Sequence, residues 1–338
     1  MPRRQTVFFS VATTVWLLLH AFVALRLSGG PLAWAGTLVL GLAPLVALTT
    51  HRAAWVGFTA MGFSSILIVL VLVAGFMPPA VLVAGAAVLT LAGLWGARRW
   101  RVVRVDVPIV DLPSDLEGLR IVQISDLHIG PTLKRDFVEG VVATANAAEP
   151  DLVVLTGDLA DGFPPALRGD VAPLAELQAP LGKFFVTGNH EYYWDPVGWA
   201  GEAARLGFDV LANTHRLLQR GNGRLLLAGV PDRTAHASDP AAALAGAPDS
   251  DVKVLLAHQP RSAYAARAAG FDLQLSGHTH GGQYFPFNLL VRLFQPFVAG
   301  LHRLEDMWLY VSRGTGYWGP PLRFGAPGEI TVIELVRA

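Results

Sequence analysis

The chain has no cysteine, which excludes disulfides, zinc–thiolate sites and thiol nucleophiles. Lysine is nearly absent, with only Lys134, Lys183 and Lys253. Charge is also missing from one whole region. Residues 1–97 contain no Asp, Glu or Lys and only four Arg: Arg3, Arg4, Arg26 and Arg52. The formal net charge of zero therefore averages an apolar, slightly basic front and a slightly acidic rear, and says little about partners. A front of nearly a hundred residues with almost no polar face is a poor candidate for a buried soluble core.

Long hydrophobic runs fill that front. A helix needs ~20 apolar residues to cross the ~30 Å hydrocarbon core of a bilayer. Residues 6–27, 31–50, 57–76 and 79–97 all qualify. Breaks at Ser28-Gly29-Gly30, His51-Arg52 and Met77-Pro78-Pro79 are short, which implies helical hairpins. The expectation is a four-span transmembrane region over residues 1–97. Gly57, Gly62, Gly85 and Gly93 read as helix-packing positions, and His20 as a packed or interfacial residue rather than a proton relay.

With four spans, the N-terminus, the 51–56 loop and the segment after Ala97 share one side. That side holds Arg3, Arg4, Arg52, Arg98, Arg99, Arg101 and Arg104, and the other holds only Arg26. The positive-inside rule then makes this a multi-pass protein of the cell (inner) membrane, with its rear domain on the cytoplasmic side. Arg3-Arg4 also fits the start of a twin-arginine export signal, but Thr6 stands where an apolar residue is required and no small-residue cleavage site follows.

Residues 98–338 read as an α/β domain. Val103, Val105, Val107 and Ile109 alternate with polar residues and Pro108, as in a half-buried strand. Compact apolar runs at 119–124, 152–156, 183–187, 225–229, 252–257, 273–276, 308–311 and 330–335 predict further strands. Helical stretches at 133–148, 170–178, 196–206 and 261–269 separate several of them. Strands alternating with helices imply covered sheets. In such sheets ligands sit beyond the carboxyl ends of the strands.

Five short blocks fall at those ends: Asp126-Leu127-His128, Gly157-Asp158, Gly188-Asn189-His190-Glu191, His258, and Gly277-His278-Thr279-His280. Taken alone, an Asp before a loop is more often a turn or helix cap, and a lone His a hydrogen-bonded loop residue. Together they supply seven oxygen and imidazole donors, a set suited to a two-metal site that hydrolyses phosphate esters. In Asp126-x-His128 and His278-x-His280, the two-residue spacing would put both side chains on one side of an extended segment. Gly314-Thr315-Gly316 is a candidate phosphate cradle, and Arg313 and Arg323 are candidate phosphate clamps. His215, His236 and His302 fit no block and read as surface residues.

The order of the five blocks resembles the calcineurin-like metallophosphoesterase superfamily, from about residue 119 to 335. The closing pattern Gly281-Gly282-Gln283, Tyr310-Val311-Ser312-Arg313-Gly314 and Pro320-Pro321-Leu322-Arg323-Phe324 looks like its membrane-associated bacterial branch, which includes phosphodiesterases and UDP-2,3-diacylglucosamine pyrophosphatases. The resemblance implies an α/β sandwich of two packed sheets flanked by helices over 98–338. It implies two divalent metal ions (Mn, Fe or Zn), one held by Asp126, His128, Asp158 and His280. Asp158, Asn189, His258 and His278 would hold the other, with Asp158 bridging at the ~3.5–4 Å spacing that lets two cations polarise one phosphoryl group and acidify a bridging water. By the same resemblance His190 is the general acid and Asp161 matches an acid that would orient it, with an exposed loop carboxylate as the alternative; Glu191 reads as a supporting residue.

The run 284–300 is rich in Phe and Leu, with Arg292 its only charge. Two proline interruptions after Tyr284 make it a poor strand or long helix. It is either ordinary packing or an apolar loop that holds an acyl chain or lies on a bilayer. With the membrane front, it favours a lipid-linked or amphiphilic phosphoester as substrate and the bilayer as partner. No basic stripe accompanies the blocks, so no nucleic acid is expected. Gly162 follows Asp161 where protein Ser/Thr phosphatases carry Arg. A phosphomonoesterase or nuclease of the same superfamily, or a membrane scaffold or sensor with an inactive metal-binding domain, remains the alternative.

Overall fold

The described residues of the front form α1 (Arg3–Leu27), α2 (Pro31–Val46), α3 (His51–Ala74) and α4 (Pro79–Ala97), each packed on the next. The computed structural model describes residues 3–46 and 51–338, so the end of the expected second span, 47–50, lies outside the described residues. His51 and Arg52 open α3 rather than forming a loop. No Gly or Pro interrupts residues 51–56, so nothing stops the helix from starting there. Among the described residues, Ala53–Ala74 and Pro79–Ala97 are long and apolar enough to cross a membrane, while the apolar stretches Thr13–Leu27 and Pro31–Leu45 are shorter. Large apolar side chains such as Leu25, Val39, Val73, Phe76 and Trp95 are exposed.

Gly319–Phe324 belongs to this helical unit, although the sequence read it as part of the rear domain. Arg323 donates its backbone N–H to Gly93 O at 2.9 Å, and Leu322 is fully buried. A side chain at Gly62 or Gly93 would run into Leu322, so these two glycines make room for that residue rather than for a neighbouring helix. Gly85 does sit at a helix contact, where an added methyl would meet Leu70 at 3.4 Å.

The second unit comprises Arg98–Trp318 and Gly325–Ala338. Its chain runs through β1 (Trp100–Ile109), β2 (Arg120–Ile124), α5 (Arg135–Asn146), β3 (Leu152–Leu155), α6 (Pro164–Val171) and β4 (Lys183–Phe185). It continues through α7 (Asn189–Trp194), α8 (Pro196–Arg205), β5 (Asp209–Val210), β6 (Thr214–Arg220), β7 (Gly223–Gly229), α9 (Pro240–Ala243) and β8 (Val252–Leu256). Last come α10 (Ala263–Ala268), β9 (Leu273–Ser276), α11 (Phe287–Leu290), β10 (Gly300–Leu304), β11 (Met307–Val311) and β12 (Gly328–Arg337).

Among the described residues these strands form two six-stranded mixed sheets, ordered β1-β12-β2-β3-β4-β5 and β10-β11-β9-β8-β7-β6. The apolar runs explain the central strands. Every residue of β3 and β9 is buried, as expected of strands covered on both faces. Ile121, Val154 and Phe184 of the first sheet share one buried cluster with Leu227, Val254 and Leu275 of the second, so the sheets pack face to face. On the outside, α5 buries Phe137, Val138, Val141, Val142 and Ala145, the spacing of one helical face. Strands β2, β3 and β4 run parallel, as do β7, β8 and β9. The five polar blocks all leave these parallel strands at their carboxyl ends.

Candidate metal centre

Three of the five blocks turn sharply as they leave their strands. Asp126, His128, Asp158, His278 and His280 all have φ between 48° and 73°, in the left-handed region. For residues other than glycine that conformation costs roughly 1–3 kcal/mol each and persists where surrounding contacts enforce it. The expected extended geometry of Asp126-x-His128 and His278-x-His280 is therefore wrong. The side chains converge because the backbone coils at alternate residues, not because it is a strand. The flanking glycines allow the loops to close: a side chain at Gly188 would overlap the Asp158 carboxylate, and one at Gly277 the Ser125 hydroxyl and the Asp126 carboxylate.

The seven donors gather into two groups that meet at Asp158. Asp126, His128 and His280 each offer an atom within 4.8 Å of the others, as do Asp158, His258 and His278. His128 Nε2 lies 3.0 Å from His280 Nε2 and 3.7 Å from Asp158 Oδ2, and His280 Nε2 lies 3.4 Å from Asp126 Oδ1. On the other side, Asp158 Oδ2 is 3.2 Å from His258 Nε2. Asn189 Oδ1 is 3.1 Å from His258 Nε2 and 2.9 Å from His278 Nδ1. His190 stands at the junction, its Nε2 4.0 Å from Asp158 Oδ2. His128, Asp158 and His190 likewise each offer an atom within 4.8 Å of the others.

Supporting contacts hold these atoms in place. His258 Nδ1 faces Thr156 O at 2.8 Å, which leaves Nε2 for the centre. Ser125 Oγ donates to Asp126 Oδ2 at 2.5 Å, and the backbone N–H of His190 donates to Asp158 Oδ1 at 2.8 Å. Asp161 lies between two rings, with Oδ1 2.5 Å from His190 Nδ1 and Oδ2 3.2 Å from His128 Nδ1. Glu191 is fully buried and ties two blocks together, accepting the backbone N–H groups of Asp158 at 3.0 Å, Leu159 at 2.8 Å and Gly188 at 2.6 Å.

The charges follow from burial and proximity. Burial alone would raise Asp158, but His258, His190 and His128 hold it well below the usual carboxylate range. Asp161 is also buried, yet His128 and His190 bring it down to about 2. Burial opposes charge on His190, but its bond to Asp161 and the charges of Asp158, Asp161 and Glu191 raise it to about 9. Burial, with the positive charge of His258, depresses His278 to about 4. Buried carboxylates balanced only by imidazoles form a cradle for cations. Nitrogen and oxygen donors without sulfur suit first-row divalent ions.

Two earlier candidates fall away. The backbone N–H groups of Gly314, Thr315 and Gly316 are consumed by Ser312 Oγ, Ser125 O and Asp126 O, so that loop buttresses the Asp126 turn rather than cradling phosphate. Arg313 is paired with Glu329 at 2.9 Å, and Arg323 is buried in the helical unit. Other residues gave no sequence signal. Asp232 is buried, takes both carboxylate oxygens to Gln259 Nε2 at 3.0 Å, and adds negative charge near His258. It follows β7 at Pro231 with no recognisable motif.

Residues 119–282 match the family model described as calcineurin-like phosphoesterase. An uncharacterized metallophosphoesterase of Aquifex aeolicus is 34% identical over 243 residues, which cover 70% of this chain and 91% of that protein. This chain belongs to the calcineurin-like phosphoesterase family. Two further relatives are each called "transmembrane protein with metallophosphoesterase domain". The one from Bos taurus is 41% identical over 278 residues, covering 77% of this chain and 63% of its own length. The one from Danio rerio is 40% identical over 267 residues, covering 75% and 61%. The chain thus spans somewhat under two thirds of the length of these two relatives. Within the family domain, the blocks after β2, β3, β4, β8 and β9 supply every donor named above.

Proposed function

We propose that this chain is a membrane-anchored, metal-dependent phosphodiesterase or pyrophosphatase acting on a lipid-linked or amphiphilic phosphoester. The observation that carries this reading is the meeting of two donor groups at Asp158. There, Asp126, His128, Asp158 and His280 would hold one divalent cation and Asp158, Asn189, His258 and His278 the other. When bound, the cations supply charge to the phosphoryl oxygens and acidify water. The protein's own part is proton handling. Asp161 Oδ1 accepts from Nδ1 of His190, and the neighbouring carboxylates raise the imidazole to about 9, so the ring is doubly protonated near neutral pH and Nε2 also carries a proton toward the junction of the groups. As a water oxygen bonds to phosphorus, the P–O bond to the leaving group breaks and the departing oxygen takes the His190 Nε2 proton. The proton released by the water restores the imidazole through solvent.

The membrane part draws on the relatives' transmembrane names, the apolar helices with exposed Leu, Val and Phe, and the excess of Arg on one side of four spans. That excess favours a cytoplasmic catalytic domain. A reporter fused after Ala338 that was active only outside the cytoplasm would reverse the assignment. The apolar character of the substrate draws on Leu289, Leu293 and Phe294, which are exposed in the loop after the last block.

The direct test is hydrolysis of bis-p-nitrophenyl phosphate by the purified protein. Chelation is expected to remove activity, and Mn²⁺ to restore it. Turnover that survived exhaustive chelation, or failed with every divalent ion, would overturn the reading. His190→Ala should keep its metal content and lose roughly 10²–10⁴-fold in kcat on a phosphodiester with an alkyl leaving group, the usual range for a general acid, and much less on bis-p-nitrophenyl phosphate, whose phenolate departs with little need of a proton.

A further inference from the structure

Two aromatic side chains lie against the His190 ring. The Tyr193 ring centroid is 5.0 Å from that of His190, and the Trp318 centroid 5.7 Å. Both remain largely open to solvent, Tyr193 at 62% and Trp318 at 52%. Phe163 and Trp194, which follows Tyr193 in the chain, are also exposed and stack edge to face at 5.4 Å. Large rings left exposed beside a buried polar centre call for a ligand.

Trp318 is also held with unusual care. Gln283 Nε2 donates to Trp318 O at 3.0 Å, and Trp318 N donates to Gln283 Oε1 at 2.9 Å, so one amide grips both sides of that residue's backbone. To do this Gln283 adopts φ 57° and ψ −56°, with Tyr284 N bonded to Gly282 O at 2.6 Å. That is a γ-turn of the rare, strained hand. A strained backbone that fixes an exposed ring points to a ring with a task.

We infer that Trp318 and Tyr193 bind the leaving group of the substrate, and that this group is an apolar alcohol, either an aryl ring or an acyl-bearing moiety. Gln283 is the positioning residue for Trp318. The inference rests on the reading of His190 as the general acid, because the group that takes its proton must lie against the rings that touch it. An apolar group there also excludes water from the proton transfer.

The test uses the full-length, metal-loaded protein and methyl phosphodiesters whose leaving phenols match in acidity but grow in apolar bulk. A second series, with long alkyl leaving groups, separates acyl from aryl occupants. A third keeps the leaving group constant and enlarges the retained group. Wild-type kcat/KM should rise with leaving-group bulk in the first or second series and stay flat in the third. Trp318→Ala should cost roughly tenfold with the bulkiest leaving group and little with the smallest. Trp318→Phe should recover part of that loss, and Gln283→Ala should reproduce it with metal content unchanged.

Tyr193→Ala provides an independent arm should Trp318→Ala fail to fold. Equal losses across all leaving groups, or a dependence on the retained group, would overturn the inference while leaving the phosphodiesterase reading intact. No turnover of any member with any divalent metal would remove that reading, and the inference with it.

Discussion

Asp158→Asn is expected to abolish turnover while the protein still folds. Asp158 is the one donor that faces both groups, at 3.7 Å from His128 and 3.2 Å from His258. Asparagine keeps the volume and can still accept the His190 backbone N–H that Asp158 Oδ1 takes at 2.8 Å. It lacks the negative charge that the two proposed cations would need between them. The loss should exceed the roughly 10–100-fold typical of residues that only support a ligand. Elemental analysis beside kcat on bis-p-nitrophenyl phosphate checks it. Metal content should fall with the rate, in contrast to His190→Ala, where only the rate should fall, and chiefly on alkyl leaving groups. A variant with near wild-type kcat would remove Asp158 from the centre of the mechanism.

The second large effect is on stability. Glu191 accepts three buried backbone N–H groups, from Asp158, Leu159 and Gly188. Glu191→Ala leaves all three without an acceptor in a site too enclosed for easy hydration. Each buried donor left unpaired costs about 1–3 kcal/mol, so the total is about 3 kcal/mol or more. For a domain of this size that lowers Tm by at least about 6 °C. Thermal unfolding of the detergent-solubilised protein measures it, and an unchanged Tm would mean the two loops hold their shape without Glu191. Glu191→Gln should fall between, because an amide oxygen can keep some of the donors while its NH₂ opposes the rest.

The central strands were legible because burial on both faces demands unbroken apolar runs. The predicted strand at 273–276 matches β9 to the residue, and those at 252–257 and 152–156 match β8 and β3 to within one. What escaped was the periphery. Strands β6 and β10 lie at the two ends of one sheet, each paired on one side only. Edge strands keep polar, half-exposed faces, so Thr214–Arg220 carries no apolar run to announce it.

The donors were legible by type and order, since each block is short and local. Their geometry was not. Left-handed turns at five of the donors depend on contacts made across the fold, such as His278 N donating to Asp126 Oδ1 at 3.0 Å, 152 positions away. Asp232 and Trp318 were invisible for the same reason, since their neighbours in space are remote in the chain.

The seating of Leu322 against Gly62 and Gly93 bears on how the catalytic half can be prepared. Cutting at Ala97 would look like a clean separation on paper. It would instead remove Gly62 and Gly93, against which Leu322 packs and the second of which accepts the Arg323 backbone N–H, leaving a greasy stub one residue past Trp318. Clumping, or a disturbed specificity in such a fragment, would then reflect the missing helices rather than a defect in the chemistry.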